Sequence, residues 1–393
     1  MISVEQALAI VQDSIEPTTE FEKIPLSKAN SYVLSKDVIS EINMPPFRQS
    51  AMDGYALSLH DALRYQLIGE VKAGDNVRPV LKAGEAIRIF TGSPVPDTAN
   101  AVIMQERVQT NTNTIAIDET VSANANIRPQ GEQVSKGEIA LKKGTLFNSA
   151  AIGYLTSLGI TEVEVYKKPS VAVLVTGNEL AEAGSDLQYG QIYESNSLML
   201  TTALVDSGFT NVSQYKVADS YQATLDMLKN LISKHDAILV AGGISVGDYD
   251  FVGKALAALE VNELFYKVKQ KPGKPLFFGK KENTILFALP GNPAAALTCY
   301  YIYVQEALQK LSGNRNFSVT RVRAKSESAF KKKGGRAQFL KARYKNNNVA
   351  ILEGQNSSML HTFATANALV YISEENNAID LNDEVEVILL PNS

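Results

Sequence analysis

Three observations predict a multidomain protein of the α/β-plus-β class. Between residues 170 and 312, short apolar strand-like runs alternate with helix-like patterns, as in a parallel, doubly wound α/β domain. Residues 42–134 instead carry short β-type runs such as EAIRIF and AVIMQERV between turn residues, which marks a small, mostly β domain. From residue 313 five or six short strands follow within about eighty residues, a density that suits a C-terminal β-barrel. At 393 residues the chain is too long for one ordinary core. The expected division is 1–41 with 135–166 as a discontinuous linking domain, then 42–134, 167–312 and 313–393.

The elements follow in order. MISVEQALAIVQDSI spaces Val4, Leu8 and Val11 as an amphipathic helix does, and its acidic residues and missing basic region exclude a secretory signal. SVAVLV is a buried strand that ends in the polar loop Thr176–Glu179. A helix begins near Asn196 or Ser197 and stops at Ser207-Gly208, where glycine can cap it. Asp219 and Ser220 offer N-caps to a helix carrying Tyr221, Leu225, Leu228 and Ile232 on one face. The strand AILVA, the loop GGISVGDYD, a helix to about Leu259 and a strand near ELFYKV come next. After KPGKP, the strand TILFAL runs through LPGNP into a long helix ending at Leu311. SVTRVRA, AQFLKARY, NVAILE, ALVYIS and EVEVILL are the barrel strands, with KNNN and EENN between some of them.

Composition narrows the function. Thirty-eight basic against forty-two acidic residues argue against a general nucleic-acid binder, though Lys331-Lys332-Lys333 is a local basic spot able to meet a small anion. The single cysteine, Cys299, excludes an intramolecular disulfide and a multi-cysteine metal site. His60, His235 and His361 stand far apart in sequence, which disfavours a histidine zinc site. No run approaches the ~20 apolar residues of a membrane span, so the expected location is the cytoplasm.

Ligands of open parallel sheets bind beyond the carboxyl ends of the strands, and three loops there have unusual compositions. TGNEL places Glu179 directly after a strand. AGGISVGDYD offers Gly242, Gly243 and Gly247 for close backbone approach, then Asp248 and Asp250. LPGNPAAA lets Gly291 and the following helix start face an anion. Singly, each has a plain explanation, since glycines turn chains and an Asp before a helix caps it. Together they describe a cleft for a phosphate-bearing ligand with Mg²⁺, for which Glu179, Asp248 and Asp250 are the candidate metal ligands. KPGKP adds Lys271 and Lys274, a pair suited to an oxyanion. GxxxxGK[ST] and GxGxxG are both absent, so neither a P-loop nor a dinucleotide fold is indicated. One further segment, MPPFRQSAMDGYAL, sets Asp53 after a restricted approach through Pro45 and Pro46 and before Gly54.

Four stretches in this order, MPPFRQSAMDGYA, IFTGSPVP, GGISVGDYD and KPGKP followed by LPGNP, closely resemble the molybdopterin molybdenumtransferase or MoeA family, whose eukaryotic relative is the E domain of gephyrin. The resemblance covers essentially the whole chain. It implies insertion of molybdenum from molybdate into adenylylated molybdopterin with Mg²⁺ or a similar cation, releasing AMP and molybdenum cofactor. It also implies a homodimer, an α/β domain like molybdopterin adenylyltransferase, that enzyme as the upstream partner, and molybdoenzymes as recipients. Carried over by motif, the catalytic residues are Asp53, Thr91, Glu179, Asp236 and Asp250. Gly242, Gly243, Ser245, Gly247 and Asp248 join Pro290, Gly291, Asn292 and Pro293 in binding the pterin ligand. Lys271, Lys274, Arg336 and Ser357 form the molybdate pocket, where charge-assisted hydrogen bonds suit a tetrahedral dianion. The sequence departs from the family at Gln133, which stands where an aspartate is common and is left out of the catalytic set. Two alternatives are an adenylyltransferase, which leaves 42–134 and the barrel unexplained, and a gephyrin-like scaffold, which leaves the carboxylates without a task.

Overall fold

The computed structural model describes residues 1–244 and 251–391. The chain forms two compact units, one of residues 1–22, 31–35 and Glu164 onward, the other of 23–30 and 36–163.

The smaller unit is built on a six-stranded sheet in the order Ala101–Met104, Gly54–Leu57, Glu85–Ile89, Arg64–Val71, Thr114–Ile117 and Val108–Thr110. Its pairings are antiparallel except that of Arg64–Val71 with Glu85–Ile89. Gly54–Leu57 is a central strand, buried at all four positions, and here a side chain is impossible at its first residue. A Cβ on Gly54 would lie 1.8 Å from the Ile103 carbonyl oxygen. The segment before it is held from several directions. Met44 and Val134 form a bridge, Gln49–Ser50 pairs with Ile127–Arg128, and the Arg48 guanidinium donates to the Pro96, Asp97 and Ala99 carbonyls.

In the larger unit a six-stranded sheet runs Val212–Val217, Val171–Thr176, Ala237–Ala241, Thr284–Leu289, Phe277–Lys281 and Asn262–Tyr266. The first four are parallel, as the alternating pattern predicts, but the last two join antiparallel. Phe277–Lys281 is a strand the sequence reading passed over. Two residues, Glu282 and Asn283, separate it from Thr284, and so short a link can only form a hairpin. The helix Asn196–Asp206 ends at Ser207 with Gly208 at φ +88°, as expected. In Tyr221–Ile232 the cap is Ser220, and Thr224, Leu228 and Leu231 form the buried stripe, while Tyr221 is exposed. The long helix divides into Pro293–Cys299, a π-helical turn at Tyr300–Val304, and Gln305–Leu311. The N-terminal helix Val4–Ser14, closed by a Ser3–Gln6 capping box, buries Val4, Ala7 and Val11 in the core shared by this sheet.

The barrel follows. Ala337–Lys345 pairs with Asn348–Ile351, then Arg321–Ser326, Glu384–Leu389 and Ala368–Ile372 in turn, and the last closes back on Ala337–Lys345. Five strands thus form a ring without a free edge. The KNNN segment is a two-residue hairpin turn with Asn346 and Asn347 at φ +51° and +61°, values that asparagine tolerates. Leu340, Val349, Val370 and Val387 fill the interior, each side chain contributing about 1.5–3 kcal/mol by burial. Among the described residues no helix is long and apolar enough to cross a membrane.

Candidate functional site

In the smaller unit, sheet register brings Asp53 and Thr91 together. Gly54 pairs with Ile89, so the residue before one strand meets the loop after the other. The Thr91 backbone N–H and hydroxyl both donate to Asp53 Oδ1, at 2.7 and 2.8 Å, while Gln105 N–H donates to the Asp53 carbonyl at 3.1 Å. These two Thr91 bonds, the backbone one first, hold the exposed Asp53 carboxyl below its usual pKa, with a smaller contribution from Arg88. Arg88 itself donates to the Gly54 carbonyl at 2.8 Å and lies over the Tyr55 and Phe90 rings. Asp53 therefore carries a fixed negative charge that faces solvent. Gln133 stays in this unit as an exposed residue whose N–H bonds the Met44 carbonyl.

In the larger unit, four neighbouring strands end at Thr176, Val217, Ala241 and Leu289, and their loops leave one edge. Gly242 packs so closely that a Cβ would stand 2.8 Å from the Thr176 carbonyl, and its φ of +98° also favours glycine. A Cβ on Gly291 would in turn lie 3.7 Å from Gly242 Cα. Gly243 shares this edge, whereas Ser245, Gly247, Asp248 and Asp250 lie outside the described residues. Glu179 is exposed, and its carboxylate makes no hydrogen bond or ion pair among the described residues. Asp219 was read from sequence as a cap; instead it accepts the Thr176 hydroxyl, and its N–H donates to Asn178 Oδ1. An Asp-Ser pair between strand and helix hid this role, although its position just after a strand was a signal. Asn196 was also missed, and its side chain donates to the Gly291 carbonyl at 2.8 Å.

The barrel joins the same edge. Asn292 Nδ2 donates to Ser357 Oγ at 3.0 Å, and Ala294 N–H donates to the Ser357 carbonyl at 3.1 Å. Pro290 is buried beneath this junction and Pro293 starts the helix. Lys341 fixes the Ser357 loop from below, donating to the Gly354 and Met359 carbonyls at 2.7 and 2.8 Å; burial lowers its pKa. Lys271, Lys274 and Arg336 are exposed around the KPGKP turn. Arg336 donates to the carbonyl of Gln270 at 3.3 Å, and the buried Gln270 amide is bound by the Tyr303 hydroxyl and the Gly273 carbonyl. No hydrogen bond links Lys271, Lys274, Arg336 and Ser357 to one another among the described residues.

Asp236 lies elsewhere. It precedes Ala237–Ala241, whereas the glycine loop follows that strand, so it occupies the opposite edge, on the order of 17 Å away at ~3.3 Å per residue. There its Oδ2 accepts the Ser170 N–H and hydroxyl, both at 2.8 Å, tying two strand starts together. The structure thus separates Asp236 from Glu179, Gly242 and Gly291. Only the family motif groups Asp236 with them, since its place before the strand is evident along the chain.

Among the described residues no three His, Cys, Asp or Glu side chains cluster closely enough to hold a metal ion. The carboxyl edge offers Glu179, and Asp219 is already engaged by Thr176.

The architecture and these loops define a multidomain protein with a doubly wound α/β domain and a C-terminal β-barrel. Family models match in succession: the MoeA N-terminal region (domain I and II) at 2–159, a probable molybdopterin binding domain at 172–310, and the MoeA C-terminal region (domain IV) at 323–390. The chain belongs to the MoeA family. A Haemophilus influenzae protein named molybdopterin molybdenumtransferase is 33% identical over 98% of both chains. A Staphylococcus epidermidis protein of the same name is 31% identical over 99% of this chain and 95% of the relative. The crystal structure of the Pyrococcus horikoshii molybdopterin biosynthesis MoeA protein superposes with a TM-score of 0.85 at 30% identity, covering 99% and 100% of the two chains.

Proposed function

We propose that this chain is a molybdopterin molybdenumtransferase of molybdenum cofactor biosynthesis. It inserts molybdenum from molybdate into adenylylated molybdopterin and releases AMP and molybdenum cofactor. The observation that carries the reading is the pairing of Asp53 with Thr91, since it keeps one exposed carboxylate ionised and fixed. Full-length similarity to relatives bearing that name supports the same assignment.

In this reading the glycines at 242, 243 and 291 give backbone access to phosphate oxygens, and Asn292 with Ser357 fixes the loop beside them. Lys271, Lys274, Arg336 and Ser357 receive molybdate, the cations through charge-assisted hydrogen bonds. Asp53 contributes a preorganised charge that needs no reorientation as the reaction proceeds. Mg²⁺ would neutralise phosphate charge when bound, with Glu179, Asp248 and Asp250 as its candidate ligands. The described part of that set supplies a single uncommitted carboxylate, Glu179, so the metal assignment depends on the two aspartates. The protein works as a cytoplasmic homodimer, taking substrate from molybdopterin adenylyltransferase and passing cofactor to molybdoenzymes.

The test is AMP release by the purified full chain given adenylylated molybdopterin, molybdate and Mg²⁺. Molybdate-dependent AMP release with formation of active cofactor is expected. No release from folded protein, under conditions where a known family member works, would overturn the reading.

A further inference from the structure

Beside Asp53 stands an arginine without an acidic partner. Arg88 sits on the strand Glu85–Ile89 directly opposite Tyr55, and Phe90 comes two residues later, so the three side chains share one face of the smaller sheet. Its guanidinium accordingly lies 5.1 Å from the Tyr55 ring centroid and 4.8 Å from that of Phe90. From this slot it donates to the Gly54 carbonyl at 2.8 Å and to Gln105 Oε1 at 2.5 Å. Gln105 in turn donates its N–H to the Asp53 carbonyl at 3.1 Å. The carbonyls of Asp53 and Gly54 are therefore both held through Arg88, one by way of Gln105 and one directly.

Arg88 is half-buried and makes no ion pair among the described residues. Of the other charged groups on the flanking segments, Glu106 is held by the Gln105 amide at 3.2 Å, and Arg48 is committed to the Pro96, Asp97 and Ala99 carbonyls. Bonds to neutral acceptors leave the field of the guanidinium intact, whereas a carboxylate partner would cancel it. That field adds to the larger effect of the two Thr91 bonds in holding the Asp53 carboxyl below its usual pKa.

We propose that Arg88 is a positioning residue for Asp53, fixing the backbone that leaves the aspartate as Thr91 fixes its carboxylate. Thr91 alone lets the carboxylate swing with its own main chain at the start of the strand, and the bonds from Arg88 and Gln105 remove that freedom. A planar fork between two rings suits the task, because it reaches two acceptors at fixed angles and a lysine ammonium does not. The bearing of Arg88 on turnover rests on the functional reading above; its hold on Asp53 does not.

The full chain carrying Arg88→Lys or Arg88→Met tests this through steady-state AMP release and its pH dependence. Arg88→Lys keeps the charge and loses the fork, so kcat should fall about tenfold, with KM within about twofold and the acid limb unmoved. Arg88→Met loses both. Its kcat should fall about 10²-fold and its acid limb should move to higher pH, because removing a nearby positive charge raises a carboxyl pKa. Gln105→Ala, which spares the guanidinium and its Gly54 bond, should lower kcat about threefold and serves as the test if the methionine variant does not fold. NMR titration of the Asp53 carboxyl carbon, identified by its loss in Asp53→Asn, reads the same pKa without substrate. A purely structural arginine would reduce the folded fraction and leave limb, titration and kcat per folded chain in place, and that result overturns the proposal. So does a rise in KM at unchanged kcat, which would mean that Arg88 holds substrate directly. A chain that releases no AMP, yet whose Asp53 titration moves in Arg88→Met and not in Arg88→Lys, defeats the functional reading and leaves the tie between Arg88 and Asp53 standing.

Discussion

Asp53 and Asp219 each accept the hydroxyl of a threonine, and the sheets put that same contact to opposite uses. Asp53 stands before a central strand of the smaller sheet, exposed, with both Thr91 donors on one oxygen and its other oxygen left to solvent. Asp219 is half-buried at the carboxyl edge of the larger sheet, where its bonds to Thr176 and Asn178 join two strand ends. The first arrangement presents a charge, and the second consumes one in holding loops together. What differs is the surrounding backbone. Gly54 and the Arg48 staples rigidify the approach to Asp53, so its carboxylate is not needed for cohesion. The glycine-rich edge around Gly242 lacks side chains to pack and relies on hydrogen bonds between loops.

The strongest way to break this contrast is Asp53→Asn. Asparagine keeps an oxygen that can accept both Thr91 bonds, so the chain should stay folded with only a small loss of stability at neutral pH, while AMP release falls by about 10²–10³. Near-normal turnover would show that the charge is not what Thr91 presents. A smaller effect is expected from Thr91→Val, which removes the hydroxyl donor and keeps the backbone one. The carboxyl pKa should rise, because one bond favouring the ionised form is gone. Since the folded-state pKa is depressed, the bond's stabilisation is present above the unfolded pKa and lost as pH falls through the folded one. The acid limb of the pH–rate profile should therefore move to higher pH, and an unmoved limb would count against Asp53 as the titrating group. The least effect belongs to the other region. In a double-mutant cycle of Asn292→Ala with Ser357→Ala, a coupling of about 0.5–1.5 kcal/mol in unfolding free energy is expected. Zero coupling would mean that the backbone bond from Ala294 alone holds the junction.

Much of this molecule is legible along the chain. Strand periods, the Ser3 and Ser220 caps, the glycine stop at Gly208 and the Asn346-Asn347 turn are local choices of backbone conformation, and local chemistry decides them. Asp53 was readable as a candidate because proline and glycine neighbours marked special backbone, whereas Thr91 came from the family resemblance alone. Asp219 was not, since a capping aspartate and an edge-linking aspartate have the same local sequence. Asp236 differs again: the motif put it in the catalytic set, and strand direction sets it at the edge away from the glycine loops, bonded to Ser170.

By itself, then, the sequence determined most of the elements, the family and the chemical character of each loop, because these depend on residues within a few positions of one another. Only the tertiary structure decided that Phe277–Lys281 turns the parallel sheet antiparallel, that Ala337–Lys345 closes the barrel against Ala368–Ile372, and that Ser357 fastens to Asn292. Those outcomes depend on register and on pairings between residues far apart in the chain, where identity alone does not say which partner a side chain will meet.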